Sequence, residues 1–390
     1  MRFTYKTTIA ACFSGYVVQA AIVNFAPLLF VTFQNSYGIS LSQITLLATV
    51  NFCVQLTMDF LATFFVDRVG YRPCIVLSQL LSAMGLIFLA VLPGCMPPFA
   101  GLLIAVVTYA VGGGLMEVLI SPIVESCPTD NKEKAMSLLH SFYCWGHVGV
   151  VLISTAFFGI FGIQHWKILS FFWAAIPIVN GLLFLKVPIA PLIKDGEKGM
   201  TAGQLCKQRI FWIFVMIMIC AGVSEQAVAQ WASTLAEKGL GVTKTVGDLA
   251  GPLTFAALMG TARLLHGKFA DRIQLDKCML WSTALCAGAY LLIALAPIPA
   301  LSLVGCGICG FAVGILWPGT FSRATVAIPL GGTAMFALLA LSGDIGCTVG
   351  STVVGLVSDA ANGNLQMGIL VAGLFPAAML LLQLRSCKKG

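Results

Sequence analysis

Long apolar runs, each about 20 residues and parted by short turns, constrain this chain more than any other feature. A helical run of that length crosses the hydrocarbon core of a bilayer. Inside lipid the backbone must satisfy its own hydrogen bonds, so such runs become helices packed on helices. They fall at 8–33, 42–66, 74–93, 99–124, 136–161, 166–186, 209–236, 246–266, 277–296, 299–323, 331–357 and 366–384, and are numbered below as spans 1 to 12. The expected fold is an all-α membrane protein with twelve transmembrane helices in two pseudo-symmetric six-helix bundles. Charged residues make up 9% of the chain, against roughly 25% in a soluble domain, which excludes an ordinary globular enzyme.

Twelve spans put both termini on one side. Of the 22 Lys and Arg residues, only Lys167, Lys238 and Lys244 fall on the other side. The positive-inside rule therefore assigns the termini to the cytoplasm and the chain to the cytoplasmic membrane as a multi-pass protein. The net charge of +7 follows this topology and does not call for nucleic acid. Residues 1–186 and 209–390 are the two expected bundles. The connection 187–208, with Pro188, Pro191 and the charged stretch Lys194-Asp195-Gly196-Glu197-Lys198, reads as a cytoplasmic linker. Ten of the 14 cysteines lie within the apolar runs, Cys306 and Cys309 among them as a Cys-x-x-Cys inside span 10, and they read as small packing residues. The first run is too long for the apolar segment of a cleaved signal.

A charged turn, Asp67-Arg68-Val69-Gly70-Tyr71-Arg72, separates spans 2 and 3. It returns as Asp271-Arg272-Ile273 between spans 8 and 9, and one offset of 204 residues relates Asp67 to Asp271 and Cys74 to Cys278. This is a half-chain repeat, which in a membrane protein points to a carrier.

Buried ionisable groups are expensive in a bilayer and mark function. Here the acids and histidines concentrate in span 2 (Asp59), span 4 (Glu117), span 5 (His140, His147), span 7 (Glu225) and span 11 (Asp344), whereas the interiors of spans 3, 6, 9 and 12 have none. Asn51, Gln55, Asp59, Thr63 and Asp67 step by four along span 2 as one polar stripe, with ~12 Å of helix between Asp59 and Asp67. The stripe reads either as a gate or as an interhelical hydrogen-bond network. His140, Tyr143 and His147 share a face of span 5, and Gly222, Gln226, Ala229, Gln230 and Ser233 form a stripe beside Glu225. Gln19 and Asn24 lie near the middle of span 1. Amides, acids and imidazoles at mid-depth suit a hydrophilic solute, and Trp231 and Trp317 are candidates to stack on a sugar ring. Each aromatic is equally a candidate for plain packing.

The Asp-Arg-x-Gly-x-Arg turn and its echo resemble the signature loop of the major facilitator superfamily, and the likeness covers essentially the whole chain. The resemblance implies that spans 1, 4, 7 and 10 line a central cavity, flanked by 2, 5, 8 and 11. The first turn has Thr63 where the family has a small residue; the second keeps Gly267 but ends in Asp276-Lys277 in place of paired bases. Within the family, Gly114-Leu-Met-Glu117-Val-Leu-Ile-Ser121-Pro122 and the following Leu139-His140-Ser141-Phe142-Tyr143-Cys144-Trp145-Gly146 are similar to spans 4 and 5 of the fucose–proton symporter branch, which includes galactose and glucose carriers. Gly222-Val-Ser-Glu225-Gln226, Trp231 and Arg263 at the end of span 8 are also family-like. The likeness implies that Glu117 is the substrate- or proton-linked glutamate and that His140 and Tyr143 stand beside the sugar. Span 1 carries no acid where the branch has an aspartate, and Ser121 replaces an asparagine.

The expected function is a secondary active transporter that moves a small polar, sugar-like solute by alternating access with proton symport. Glu117, Glu225, Asp344 and Asp59 are the proton-coupling candidates. Asp67, Arg68, Arg72, Arg263, Asp271 and Arg272 are the gating candidates, latching the outward-open state. The alternatives are a proton-antiport exporter of amphipathic compounds and a non-transporting membrane sensor. The chain is expected to be no enzyme and to need no metal or cofactor: it has no His-Glu-x-x-His, and Gly112-Gly113-Gly114 lacks the Lys-Ser/Thr of a phosphate loop. Its expected partners are the solute, protons (with sodium left open) and the lipid bilayer. The expected state is a monomer.

Overall fold

Helix is the only regular structure among the described residues of the computed structural model, which are 3–39, 41–190, 192, 199–232, 235 and 249–387. Eleven helical runs among them are long and apolar enough to cross a membrane. The twelfth expected run, span 8, forms Thr254–Phe269 after a single π-type turn, Leu249–Leu253, that contains Pro252. Its first residues, 246–248, lie outside the described residues, as do Ser233, Lys238, Lys244 and the linker stretch Lys194 to Lys198.

Proline and glycine set most departures from the expected runs. Span 1 is not continuous: Tyr5–Asn24 gives way to a 3-10 turn, Ala26–Leu29, and resumes as Phe30–Tyr37. Pro27 has no N–H to continue the α ladder, so the helix breaks around it. Span 10 divides into Pro299–Val313 and Leu316–Ala327, and span 12 into Leu365–Ala372 and Leu374–Cys387. The six-residue charged turn is much tighter than expected. Span 2 stays helical through Val69 and span 3 starts at Tyr71, leaving Gly70 alone between them at φ +96°. Only glycine takes that conformation without strain. Within the linker, Thr201 accepts from Gln204 N at 3.4 Å and caps a short helix, Ala202–Cys206.

The chain forms two compact units. The first comprises residues 1–129, 145–199 and 332–337: spans 1 to 4 and 6, the later part of span 5 (Lys132–Phe161) and the first turn of span 11 (Gly332–Ala360). The second comprises residues 130–144, 200–331 and 338–390, with the start of span 5, spans 7 to 10 and 12, and the rest of span 11.

In the first unit, span 4 (Pro98–Ser126) packs on spans 1, 2 and 3. The run Gly112-Gly113-Gly114 explains how one helix can hold three. Successive residues on a helix turn by about 100°, so each glycine meets a different neighbour. A Cβ at Gly112 would sit 2.7 Å from Ser82 Oγ of span 3, and at Gly114 2.7 Å from Met58 Cβ of span 2. At Gly113 it would sit 3.1 Å from Gln19 Oε1 of span 1. In the second unit, span 7 (Arg209–Ala229) and span 11 approach backbone to backbone along Gly343, Gly346 and Gly350. A Cβ at Gly222 would fall 2.1 Å from Gly343 O. Small residues permit this approach, which is how helices gain contact in lipid. The exposed faces of spans 6 and 9 carry large apolar side chains, among them Phe172, Val179, Leu182, Trp281 and Leu295, as suits hydrocarbon.

Candidate functional site

Two polar clusters are sunk among these helices, one in each unit. The first is built on Glu117, half-buried in span 4. Gln19 of span 1, only 3% exposed, donates from Nε2 to Glu117 Oε2 at 3.5 Å and to Gln55 Oε1 of span 2 at 3.4 Å. Gln55 Nε2 donates in turn to Asn51 Oδ1 at 3.1 Å. One turn beyond Gln55, Asp59 is fully buried. One turn beyond Glu117, Ser121 meets Tyr16 of span 1 at 3.3 Å. Gln19 thus joins Glu117 to the amides of span 2. Asn24 takes another course, donating to Ala20 O of its own helix at 2.9 Å.

The second cluster is built on Arg263 of span 8, 3% exposed. Its Nε donates to Gly314 O at 2.9 Å, its Nη1 to His140 O at 3.1 Å and to Cys144 Sγ at 3.0 Å, and its Nη2 to Glu225 Oε2 at 3.5 Å. Gly314 O is open to accept because span 10 breaks there. Ser137 donates to Arg263 O at 2.7 Å and Ser141 to Gly260 O at 3.1 Å, holding the start of span 5 on span 8. The His140 ring stacks on Phe321 at 6.0 Å, and Phe321 meets Trp317 edge-on at 6.5 Å. A guanidinium buried in apolar surroundings needs a counter-charge and acceptors. For Arg263 the described partners include one carboxylate, two carbonyls and a sulfur.

The remaining candidates are placed as follows. Trp317 is buried with its ring against Gly343, and Trp231 donates to Ser351 O at 3.2 Å with its ring facing Gly355. Gln226 donates to Gln230 at 3.2 Å, and Gln230 is exposed. Tyr143 packs against the apolar core of the second unit, whereas His147 is half-buried in the first. Asp344 is half-buried in span 11, next to the glycine ridge. Arg263, expected at the end of span 8, lies well inside it.

At the charged turns the aspartates meet neutral partners. Asp67 Oδ1 accepts from Thr333 Oγ1 at 2.6 Å, and Thr333 also hydrogen-bonds the Tyr71 hydroxyl. Asp271 Oδ1 accepts from Asn131 Nδ2 at 2.6 Å, while Asn131 Oδ1 caps the start of span 5 by accepting from Lys134 N at 2.9 Å. Each aspartate thus lies at the N-terminal end of a long helix, spans 11 and 5 respectively, where a negative charge is favoured. Arg72 instead donates to the carbonyls of Phe184, Leu185 and Val187 at 2.8 to 2.9 Å and closes the end of span 6. Arg68 and Arg272 are exposed. Asp276, the departure noted in the second turn, pairs with Arg323 at 2.8 Å.

Several of these residues escaped the sequence reading. Cys144 and Thr333 carry no signal by themselves. Asn131, directly before a helix, is a legible cap. Gln55 and Asn51 were read only as part of the span-2 stripe, and their link to Glu117 depends on how span 2 is rotated.

A family model described as Major Facilitator Superfamily matches residues 8–351. No curated protein matches the chain by sequence. Solved structures do match by fold. The E. coli fucose:proton symporter FucP aligns with a TM-score of 0.81 at 17% identity, over 97% of this chain and 98% of that one. The proton:xylose symporter XylE aligns with a TM-score of 0.82 at 13% identity, over 98% and 95%. The human organic anion transporter MFSD10 aligns with a TM-score of 0.77 at 13% identity, over 97% and 99%.

Proposed function

Because this chain belongs to the major facilitator superfamily, a family of non-enzymatic membrane transporters, we propose that it carries a small polar, sugar-like solute by alternating access, coupled to protons. The observation that carries this reading is Glu117: an acid sunk in a membrane helix that Gln19 links to the polar stripe of span 2. An ionisable group inside a membrane span is costly to keep there and marks a functional site, which suits a carboxyl that takes part in transport. Two of the fold neighbours are named as proton symporters of sugars, which supports the same solute class.

In this reading the bundles 1–186 and 209–390 rock about a mid-membrane site, in the cytoplasmic membrane with both termini cytoplasmic. Asp67 on Thr333 and Asp271 on Asn131 act as paired latches at the cytoplasmic face. Each ties a charged turn of one sequence half to the start of a helix from the other. A proton taken up by Glu117 accompanies the solute inward. Glu225, which meets Arg263 at 3.5 Å, is the second candidate to carry the proton or to bind the solute.

A second reading, transport of organic anions, is favoured by Arg263, whose Nη2 meets Glu225 at 3.5 Å and could meet a solute carboxylate instead. A thermal-shift screen of the purified protein over monosaccharides, nucleosides and carboxylic acids separates the two. With a monosaccharide identified, proteoliposomes carrying Glu117→Gln should lose pH-gradient-driven accumulation and keep counterflow exchange. Normal accumulation by that variant sinks the assignment.

A further inference from the structure

Gln19 is the side chain that bridges Glu117 and span 2. Its Nε2 donates to both, while its Oε1, buried, meets no donor among the described residues. Gly113 leaves the space that this oxygen occupies. The donors run one way: Gln19 gives to Gln55 and Gln55 gives to Asn51. A primary amide has two ends of nearly equal size, so turning it about its last torsion changes its hydrogen bonds and little else.

We infer that Gln19 is a two-position coupler that passes the protonation state of Glu117 to span 2; this rests on the proposal above that Glu117 carries the proton. While Glu117 is ionised, the charge-assisted bond from Gln19 Nε2 outweighs the unmet Oε1. When a proton arrives from bulk water on the oxygen facing Gln19, the charge is gone and a new O–H needs an acceptor. The Gln19 amide then turns and presents Oε1. Gln55 now faces an oxygen where it met an N–H, so it turns and donates from Nε2. Asn51 follows, giving from Nδ2 to Gln55 Oε1. The whole chain reverses, as cooperative hydrogen-bond chains do. Asn51, at the head of the polar stripe that ends in Asp67, thus exchanges which end of its amide is engaged. Gln19 is a positioning residue: it sets span 2 according to the state of span 4.

Other titratable groups must be kept apart from Glu117. Span 4 itself carries Glu125, two turns on and buried. Spans 1, 2 and 3, packed against it, carry Cys12 and Tyr16, Cys53, Asp59 and Asp67, and Tyr71 and Cys74, with Arg68 and Arg72 at the charged turn.

The experiment is infrared difference spectroscopy of the full chain in liposomes, with the glutamine side-chain carbonyl isotope-labelled, titrated by pH alone in an Asp59→Asn background. A protonated-carboxyl band lost in Glu117→Asn should rise as pH falls. A labelled-glutamine band should shift with the same midpoint, and Gln19→Asn, which keeps an amide but shortens its reach, should abolish that shift while the carboxyl band remains. The shared midpoint of the two bands is read with Gln19 in place, so a poorly folding Gln19→Asn does not spoil it. If the carboxyl band titrates while the glutamine bands stay still, the coupler is wrong and the carrier reading survives. If no Glu117-dependent carboxyl band exists at any pH, both fall.

Discussion

Glu117 in the first unit and Glu225 in the second are both sunk in membrane helices, and the partners described for them differ in kind. Glu225 faces a guanidinium that is itself clamped by Gly314 O, His140 O and Cys144 Sγ. Glu117 faces a chain of amides. An ion pair stabilises the charged acid and penalises its protonation, whereas neutral amides tolerate both states. The comparison therefore distinguishes, by their described partners, acids that look equivalent in the sequence.

The largest expected effect comes from splitting the ion pair. Arg263→Met or Glu225→Gln alone leaves a buried charge uncompensated and should destabilise by about 3–5 kcal/mol, read as a fall in the detergent-solubilised melting temperature. The double variant should recover most of that loss. Singles that melt like the wild type would mean the pair is an incidental contact.

Next comes Gly222→Ala, whose new methyl meets backbone at 2.1 Å. Overpacking of this kind should cost about 1–3 kcal/mol. Gly113→Ala should cost less, because its close neighbours, Ile22 Cδ1 at 3.0 Å and Gln19 Oε1 at 3.1 Å, are ends of side chains and not backbone. Equal melting shifts for the two would erase the contrast between a rigid ridge in one unit and an adjustable amide in the other.

Asn131→Ala removes both the cap of span 5 and the bond to Asp271, and should cost roughly 1 kcal/mol. The smallest stability effect belongs to Glu117→Gln, under about 1 kcal/mol, because its Oε1 can still accept from Gln19 Nε2. A drop as large as that of Glu225→Gln would show that Glu117 is also a locked charge.

Much of this was readable residue by residue. The span positions, the glycine of the charged turn, the amide stripe of span 2 and the candidacy of Glu117 and Glu225 all follow from hydropathy and helical spacing. The kink at Pro27 was equally legible, had the proline been weighed against the apolar run around it. The partners were not legible. Arg263 was read as a gate near a helix end, and its pairing with Glu225 and the His140 carbonyl depends on three helices meeting at one depth. The charged turns were read as aspartate–arginine latches, yet their aspartates meet Thr333 and Asn131.

The sequence alone determined that this chain is a twelve-span helical membrane protein of a carrier family, because apolar length, charge sidedness and turn motifs are local properties of the chain. Only the tertiary structure decided that Glu117 meets Gln19 and that Arg263 meets Glu225 and the His140 carbonyl. Those contacts join residues 98 positions apart for Gln19 and Glu117, and 123 apart for His140 and Arg263. They depend on the rotation of each helix about its axis and on the glycines that let two backbones close, and neither is written in the order of residues along a single span.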